Sequence, residues 1–124
     1  IYYVWMMQLS PLQFYKSLAD EIRLKTLAML MLEGELCVCE LMVALEQDSQ
    51  PKVSRHLAQL KKAEIVCDRK QKQWVFYSIN PRLQPWMKAV IEATVVNQPE
   101  YIEVELGRLN MMGERPTRMV ACCN

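Results

Sequence analysis

The sequence has no hydrophobic run long enough to span a membrane. Its longest apolar stretches, residues 1–7 and 27–32, fall far short of the roughly 20 residues that a transmembrane helix needs. Residues 1–8 lack the positively charged start of a secretory signal and do not begin with methionine. We therefore interpret them as a leader or expression-derived segment that includes sequence upstream of Met6 or Met7. No membrane partner is predicted.

Glycine is scarce, with three residues among 124. The chain has no glycine-rich phosphate loop, no cofactor motif and no general base near its cysteines in sequence. These absences argue against an enzyme and predict that no cofactor is required. A thiol oxidoreductase that uses Cys37 and Cys39 as a redox pair is the alternative from this different class.

Cysteines are present but poorly suited to a disulfide framework. There are five, an odd number, with Cys37 and Cys39 in a CxC motif and Cys122 next to Cys123. Secreted domains that rely on disulfides carry paired cysteines, so this pattern favours a reducing cytoplasm. Cys67 lies among apolar neighbours and is expected in the core.

The net charge of +1 is unevenly distributed along the chain. Residues 50–73 carry a charge of +5 and the remainder of the chain carries −4. A basic segment on an acidic body is typical of a surface that binds phosphates. A charged face that is merely solvated is the alternative.

Hydrophobic periodicity and capping residues predict one domain of helices with a single β-hairpin. Ser10, Asp20 and Ser49 are expected to cap helices, Gly34 to end one and Pro99 to interrupt another. The predicted helices cover residues 11–18, 21–33, 36–45, 50–63 and 85–95, and the predicted strands cover residues 65–69 and 74–79. This order describes a winged helix-turn-helix, a mainly α fold with a β-hairpin wing. The domain is expected over residues 9–110, followed by a tail over residues 111–124.

Four blocks of this sequence resemble the ArsR/SmtB family, specifically its arsenic-responsive repressors. The blocks are LADEIRL at 18–24, ELCVCEL at 35–41, QPKVSRHL at 50–57 and WVFY at 74–77, and the resemblance runs from about residue 9 to residue 92. It implies a cytoplasmic, homodimeric repressor that binds an operator of arsenical-resistance genes and is released by arsenite or antimonite.

The chain departs from the family pattern at two positions. Family members often carry a third cysteine three residues after the CxC, where this chain has Met42, a weaker donor. Glu64 stands where a glycine usually ends the recognition helix, so a left-handed C-cap is not favoured. The zinc-binding members use histidines on the last long helix, where this chain has none, and a zinc site of that type is excluded.

Cys37 and Cys39 are the predicted metal(loid) site, because thiolates are the donors that soft ions select. Residues two apart on a helix point about 200° apart, whereas sulfurs that share one ion lie within roughly 4.6 Å. Binding As(III) or Sb(III) should therefore distort the first turn of the helix that supports the recognition helix. Cys122 or Cys123 is the candidate third ligand. Methylated trivalent arsenic or thiol oxidation is the alternative signal, and inert packing of the two cysteines is the plain alternative.

Polar side chains of the recognition helix and the hairpin tip are the predicted DNA contacts. The recognition helix should enter the major groove with its N-terminal end, and the tip should touch the backbone or minor groove. A lone histidine in this helix is expected to meet a phosphate or a neighbouring side chain. The predicted DNA-binding residues are Gln50, Lys52, Ser54, Arg55, His56, Arg69, Lys70 and Lys72.

The first and last predicted helices carry more apolar surface than one small chain should cover. We expect Leu12, Phe14, Trp86, Val90 and Ile91 to form a homodimer interface. A two-fold dimer would present its recognition helices to an inverted repeat of double-stranded DNA, with half-sites about 34 to 36 Å apart. An ordinary core within one chain is the competing explanation.

Overall fold

The computed structural model describes residues 9–114 and residue 118. The predicted leader and the pair Cys122–Cys123 lie outside these residues. The helices are α1 (Pro11–Leu18), α2 (Glu21–Glu33), α3 (Val38–Leu45), α4 (Gln50–Lys62), α5 (Pro85–Asn97) and α6 (Glu103–Met111). A 3₁₀ turn, Pro99–Ile102, links α5 to α6, and the strands are β1 (Glu35–Cys37), β2 (Val66–Gln71) and β3 (Trp74–Ile79).

The predicted capping residues begin and end the helices of the N-terminal half. The Ser10 Oγ accepts a hydrogen bond from the Gln13 N–H at 3.1 Å, and the Gln13 side chain accepts one from the Ser10 N–H. The Asp20 carboxylate accepts one from the Arg23 N–H at 3.1 Å. Gly34 follows α2 with a φ of 88°, which glycine adopts without steric cost. These boundaries are confirmed.

The prediction of one helix over residues 36–45 is wrong at its start. Glu35, Leu36 and Cys37 form β1, which pairs with β3, and α3 begins only at Val38. Periodicity alone could not find a strand of three residues, because its partner lies some 40 positions later and only tertiary pairing reveals it.

A three-stranded antiparallel sheet forms the wing and its base. The strand order is β1-β3-β2, so β3 is central and pairs with both others. In this register Cys37 lies opposite Phe76 and Gln71 lies opposite Trp74. The predicted hairpin is confirmed, and it links the CxC motif directly to the wing.

One hydrophobic core joins the helices to the base of the sheet. Its fully enclosed members come from every helix and include Phe14, Leu27, Leu41, Leu57 and Ile91. Helices α3 and α4 form the helix-turn-helix, and the winged helix-turn-helix fold is confirmed. The last helix continues beyond Gly107 as far as Met111. Within the described ranges, every helix is too short or too polar to cross a bilayer.

Candidate functional site

The recognition helix α4 presents a polar face beside a buried one. The Ser49 Oγ accepts a hydrogen bond from the Lys52 N–H, and Pro51 occupies the first turn. Val53, Leu57 and Leu60 are buried. Of the predicted DNA contacts on this helix, Gln50, Lys52 and Arg55 are exposed and Ser54 is half-buried.

His56 lies on the inner side of α4 and contacts neighbouring side chains of the same chain. Its Nδ1 is 3.0 Å from the Arg23 Nη1 and 3.6 Å from the Asp20 carboxylate. The same guanidinium donates to the Gln59 Oε1 at 2.6 Å and to the Ser17 carbonyl at 2.7 Å. His56 therefore meets a neighbouring side chain, one of the two expectations, and this junction fixes α4 against α1 and α2.

The hairpin tip is polar and solvent-exposed. Lys70 is exposed on β2, and Lys72 is exposed in the turn with a φ of 58°. Arg69 differs, because its guanidinium makes two hydrogen bonds of 2.6 Å with the Glu35 carboxylate. This hydrogen bonding raises the pKa of Arg69 and ties the wing to β1.

The exposed cations divide into paired and unpaired groups. Lys61 is paired with Asp68 at 2.9 Å, which raises the pKa of Lys61. Of the five lysine and arginine side chains among the predicted DNA contacts, four form no ion pair with any residue that the structure describes; they are Lys52, Arg55, Lys70 and Lys72. These four charges are available to phosphates, and they come from both α4 and the wing.

The two cysteines of the CxC motif occupy different elements. Cys37 ends β1 with an extended backbone and serves as the N-cap residue of α3, whereas Cys39 lies within the first turn. The two side chains are therefore not separated by the roughly 200° expected for residues two apart on one helix, because only Cys39 is helical. Cys37 is 3% exposed and packs with Phe76, and Cys39 and Trp74 pack against this pair.

Cys39 is disulfide-bonded in the structure, where the sequence led us to expect a thiol. Ligand binding through its sulfur would require prior reduction. A shallow recess of about 420 Å³ opens beside it, lined by Cys39, Met42, Val43, Glu46, Gln47 and Asp48. The recess gives a small solute access to Cys39.

Glu40 is a site residue that the sequence reasoning missed. Its side chain is completely buried, and its Oε1 accepts a hydrogen bond from the Cys37 N–H at 2.9 Å. Its Oε2 accepts one from the Arg118 Nη1 at 3.0 Å. A glutamate three residues after an N-cap is a capping signal. The signal was missed here, because the sequence predicts that the helix begins at residue 36, whereas Cys37 is the N-cap.

The described residues hold no cluster of three side chains of the metal-binding types. Cys67 is half-buried on β2, with its Sγ 3.5 Å from the Ser78 Oγ. Met42 is half-buried and packs against the core while also lining the recess. The candidate third ligands, Cys122 and Cys123, are outside the described part of the chain.

The residues expected at a dimer interface divide into two groups. Leu12 is 65% exposed and Trp86 37% exposed, and Val90 is half-buried. Phe14 and Ile91 are fully enclosed within the chain, which agrees with the competing explanation for these two. The centroids of the Trp86 and Phe14 rings are 5.3 Å apart in an edge-to-face arrangement, so the buried Phe14 ring packs against the exposed Trp86 side chain.

Comparisons with known proteins identify similar chains. A family profile described as "Bacterial regulatory protein, arsR family" matches residues 20–67. The arsenic resistance transcriptional regulator ArsR1 of Pseudomonas putida is 46% identical over 114 residues, which cover 92% of this chain and 88% of the relative. The arsenical resistance operon repressor of Escherichia coli K12 is 42% identical over 86% of this chain and 92% of its own length. The solved structure of HlyU from Vibrio cholerae N16961 is 39% identical, with a TM-score of 0.60 over 68% of this chain and 87% of that protein.

Proposed function

This chain belongs to the ArsR family of bacterial regulatory proteins, and on that premise we propose that it is an arsenic-responsive transcriptional repressor. It holds operator DNA and releases it when trivalent arsenic or antimony binds Cys37 and Cys39. Such a regulator acts in the cytoplasm, where its operator is located.

The position of the CxC motif between two DNA-binding elements carries this proposal. Cys37 pairs with Phe76 in the wing, and Cys39 belongs to α3, the first helix of the helix-turn-helix. A ligand that draws the two sulfurs together therefore strains both the wing and the support of α4. A ligand can shift the equilibrium between two conformations only if it interacts differently with each of them, and strain in the wing and in α3 provides such a difference.

The exposed end of α4 supports a role in DNA recognition. Helix-turn-helix proteins insert the N-terminal residues of this helix into the major groove, where the amide of Gln50 and the guanidinium of Arg55 suit base edges. Lys52 and the hydroxyl of Ser54 suit phosphates or bases. Lys70 and Lys72 extend the contact to the backbone beside the groove.

His56 and Arg69 act indirectly in this scheme. Their side chains are engaged with Arg23 and Glu35, respectively. His56 holds the orientation of α4, and Arg69 holds the wing to β1. We therefore assign the direct DNA contacts to Gln50, Lys52, Ser54, Arg55, Lys70 and Lys72 rather than to His56 and Arg69.

A homodimer fits the exposed apolar face on α1 and α5. Leu12 and Trp86 are large apolar residues that the single chain leaves in solvent, supported by Phe14 and with Val90 half-buried on α5. Pairing these faces about a two-fold axis buries them and presents two copies of α4 to an inverted repeat.

Reduced Cys37 and Cys39 supply two sulfurs to a trivalent arsenical. Each As–S bond forms when a thiol displaces a hydroxyl group, which leaves with the thiol proton as water, so arsenic remains trivalent. A third sulfur from Cys122 or Cys123 completes the site for arsenite. A monomethylated arsenical needs two sulfurs, since one position on arsenic is already occupied.

Arsenite titration of the reduced protein bound to operator DNA tests the proposal. In the natural chain, arsenite should weaken operator affinity by about 5- to 150-fold, the usual range of such coupling. Cys37→Ser should bind the operator with the affinity of the natural chain, and adding arsenite should not weaken that affinity. Cys67→Ser is the matched control, because it removes a thiol outside the site and should respond as the natural chain does. If Cys37→Ser released the operator at the same arsenite concentration as the natural chain, the proposed site would be rejected.

Thiol oxidation is a second candidate signal, favoured by the disulfide at Cys39. Separate titrations of the reduced protein on operator DNA, one with peroxide and one with arsenite, distinguish the redox signal from the metalloid signal. Release by arsenite under reductant supports the metalloid, whereas release by peroxide alone supports the redox signal.

A further inference from the structure

The two tryptophans that the structure describes differ in how their indole N–H groups are used. The Trp86 Nε1 donates a hydrogen bond to the Gln84 Oε1 at 3.0 Å. The Trp74 Nε1 is buried, yet no atom in the described part of the chain accepts a hydrogen bond from it. A buried donor without an acceptor is destabilising, and such groups are rare in proteins. The Trp74 indole is therefore a hydrogen-bond donor that the fold itself does not use.

Strand pairing places Trp74 on the same face of the sheet as the first cysteine of the CxC motif. Side chains alternate between the two faces along a strand, so Trp74 and Phe76 share one face of β3. Cys37 on β1 lies directly opposite Phe76, and residues directly opposite each other in an antiparallel pair share a face. The side chains of Cys37, Phe76 and Trp74 therefore project from one face of the sheet.

This face carries a small hydrophobic cluster that is separate from the main core. Cys37 and Phe76 are its buried members, and Cys39 and Trp74 pack against them. Leu36, which points to the opposite face, belongs to the main core. Apolar side chains in contact lie within about 4.5 Å of each other. An arsenic atom held by the sulfurs of Cys37 and Cys39 is therefore expected within the cluster that contains the unused Trp74 donor.

Arsenite and methylarsenite differ in what remains on arsenic after two sulfurs have bound. Arsenous acid carries three hydroxyls; two thiols displace two of them, two waters leave, and one hydroxyl remains on trivalent arsenic. Methylarsonous acid carries two hydroxyls and a methyl group, so the same two displacements leave only the methyl group. A hydroxyl oxygen accepts hydrogen bonds, whereas a methyl group does not. Only arsenite therefore brings an acceptor into the cluster.

We propose that Trp74 is a specificity-determining residue of the inducer site, whose indole N–H donates a hydrogen bond to the hydroxyl that remains on arsenite held by Cys37 and Cys39. The inference rests on the proposed function and concerns the complex with two As–S bonds, before a third thiol displaces the last hydroxyl. A site that hydrogen-bonds a ligand hydroxyl discriminates against an analogue that lacks it, because the buried donor is then left unpaired. Trp74 thus favours arsenite over methylarsenite.

Calorimetric titration of the reduced protein with each arsenical tests this assignment. The reference is the full chain with Cys122→Ser and Cys123→Ser in a phosphine reductant, so that no terminal thiol displaces the last hydroxyl and Cys39 is a thiol. Trp74→Phe in this background keeps an aromatic ring and removes the N–H. Its preference for arsenite over methylarsenite should fall by about 3- to 10-fold, the effect of one hydrogen bond. Loss of ring contacts alone would weaken both arsenicals alike and leave this ratio unchanged.

Tyr77→Phe in the same background is the matched control. It also removes a hydrogen-bonding group from an aromatic side chain of β3. Tyr77 pairs with Leu36 and lies on the opposite face of the sheet from Trp74. The preference between the two arsenicals should therefore equal that of the reference chain.

Nuclear magnetic resonance of the ¹⁵N-labelled reference chain provides a second test, which does not depend on the folding of Trp74→Phe. The variants Trp5→Phe and Trp86→Phe identify the Trp74 indole signal by elimination. Arsenite should move the Trp74 N–H proton downfield, as a new hydrogen bond does. Methylarsenite should produce no comparable downfield shift, because it supplies no acceptor.

An unchanged preference in Trp74→Phe, or equal downfield shifts with the two arsenicals, would overturn the inference while leaving the proposed function intact. An equal loss of preference in Tyr77→Phe would also overturn it, because the effect would then not belong to the indole N–H. Binding of methylarsenite but not arsenite by the reference chain would contradict it as well, since the complex that retains a hydroxyl would not form. If the natural reduced chain bound neither arsenical, the proposed function itself would fail.

Discussion

Glu64 ends the recognition helix in a backbone conformation that glycine adopts more easily. Its φ is 62°, so the left-handed turn is kept although the sequence did not favour it. The Ile65 N–H still bonds the Leu60 carbonyl at 3.0 Å, and the Asn80 side chain donates to the Glu64 carbonyl at 3.0 Å. Tertiary hydrogen bonds therefore hold a conformation that is unfavourable for a residue with a Cβ.

Replacing Glu64 by glycine should stabilise the protein. Relief of the left-handed strain outweighs the entropy that glycine adds to the unfolded chain, and we expect a gain of about 0.5 to 1 kcal/mol in the free energy of unfolding. Urea denaturation measures it. Glu64→Ala is the control, because it removes the side chain but keeps the strain, and it should change stability by less than about 0.5 kcal/mol. Equal gains in both variants would show that the carboxylate, not the backbone, is responsible.

Among the secondary-structure elements, the wing is joined to β1, the strand that ends at Cys37. Strand β3 pairs with β1 on one side and β2 on the other, and the Glu35–Arg69 pair adds a side-chain link between β1 and β2. Arg69 also lies over the Phe76 ring at 4.9 Å. Cys37 and the wing therefore belong to one sheet, and backbone hydrogen bonds between β1 and β3 connect them.

The two neighbouring cations of β2 should differ in their effect on DNA binding. Lys70→Gln removes an unpaired charge, and it should weaken binding similarly for all sequences and reduce the slope of log affinity against log salt by about 1. Arg69→Gln should change the slope less, because Glu35 already neutralises Arg69. Fluorescence anisotropy with operator and unrelated duplexes, across a salt series, measures both. A larger change in slope for Arg69→Gln would contradict this assignment.

At the scale of the whole molecule, a charged cluster joins the N-terminal and C-terminal parts of the fold. The Lys25 ammonium on α2 donates to the Glu105 carboxylate on α6 at 2.8 Å and lies 5.2 Å from the centre of the Tyr101 ring. Burial opposes ionisation of Glu105, but the hydrogen bond from Lys25 and the nearby charges leave its pKa lowered. The same bond raises the pKa of Lys25.

This cluster should make stability depend on acidity. A lowered folded-state pKa means that the contribution of Glu105 is present above its unfolded pKa, about 4.3, and is lost as pH falls through the folded value. Glu105→Gln should therefore reduce the free energy of unfolding by about 2 kcal/mol at pH 7, and this deficit should shrink towards zero at pH 3. Urea denaturation across this range measures it. Glu103→Gln, which changes an exposed glutamate on the same helix, should show no such trend.

Much of the fold could be predicted because its signals are local. Helix caps at Ser10, Asp20 and Ser49 and the aromatic and β-branched residues of 74–79 depend on neighbours within a few residues. The CxC motif and the basic segment likewise predict a thiol site and a DNA-binding face from residues that are close together in the sequence. Family resemblance then joined these two features into one function.

The order of the elements, the polar and apolar faces of the helices and the residue types of the candidate site follow from local sequence patterns. Three features follow only from tertiary packing: Cys37 ends a strand, His56 and Arg69 are engaged within the chain, and Glu40 meets Arg118. The physical reason is sequence distance. Strand pairing and buried ion pairs join residues tens of positions apart, and they depend on the packed core that brings distant segments together, which no local pattern records.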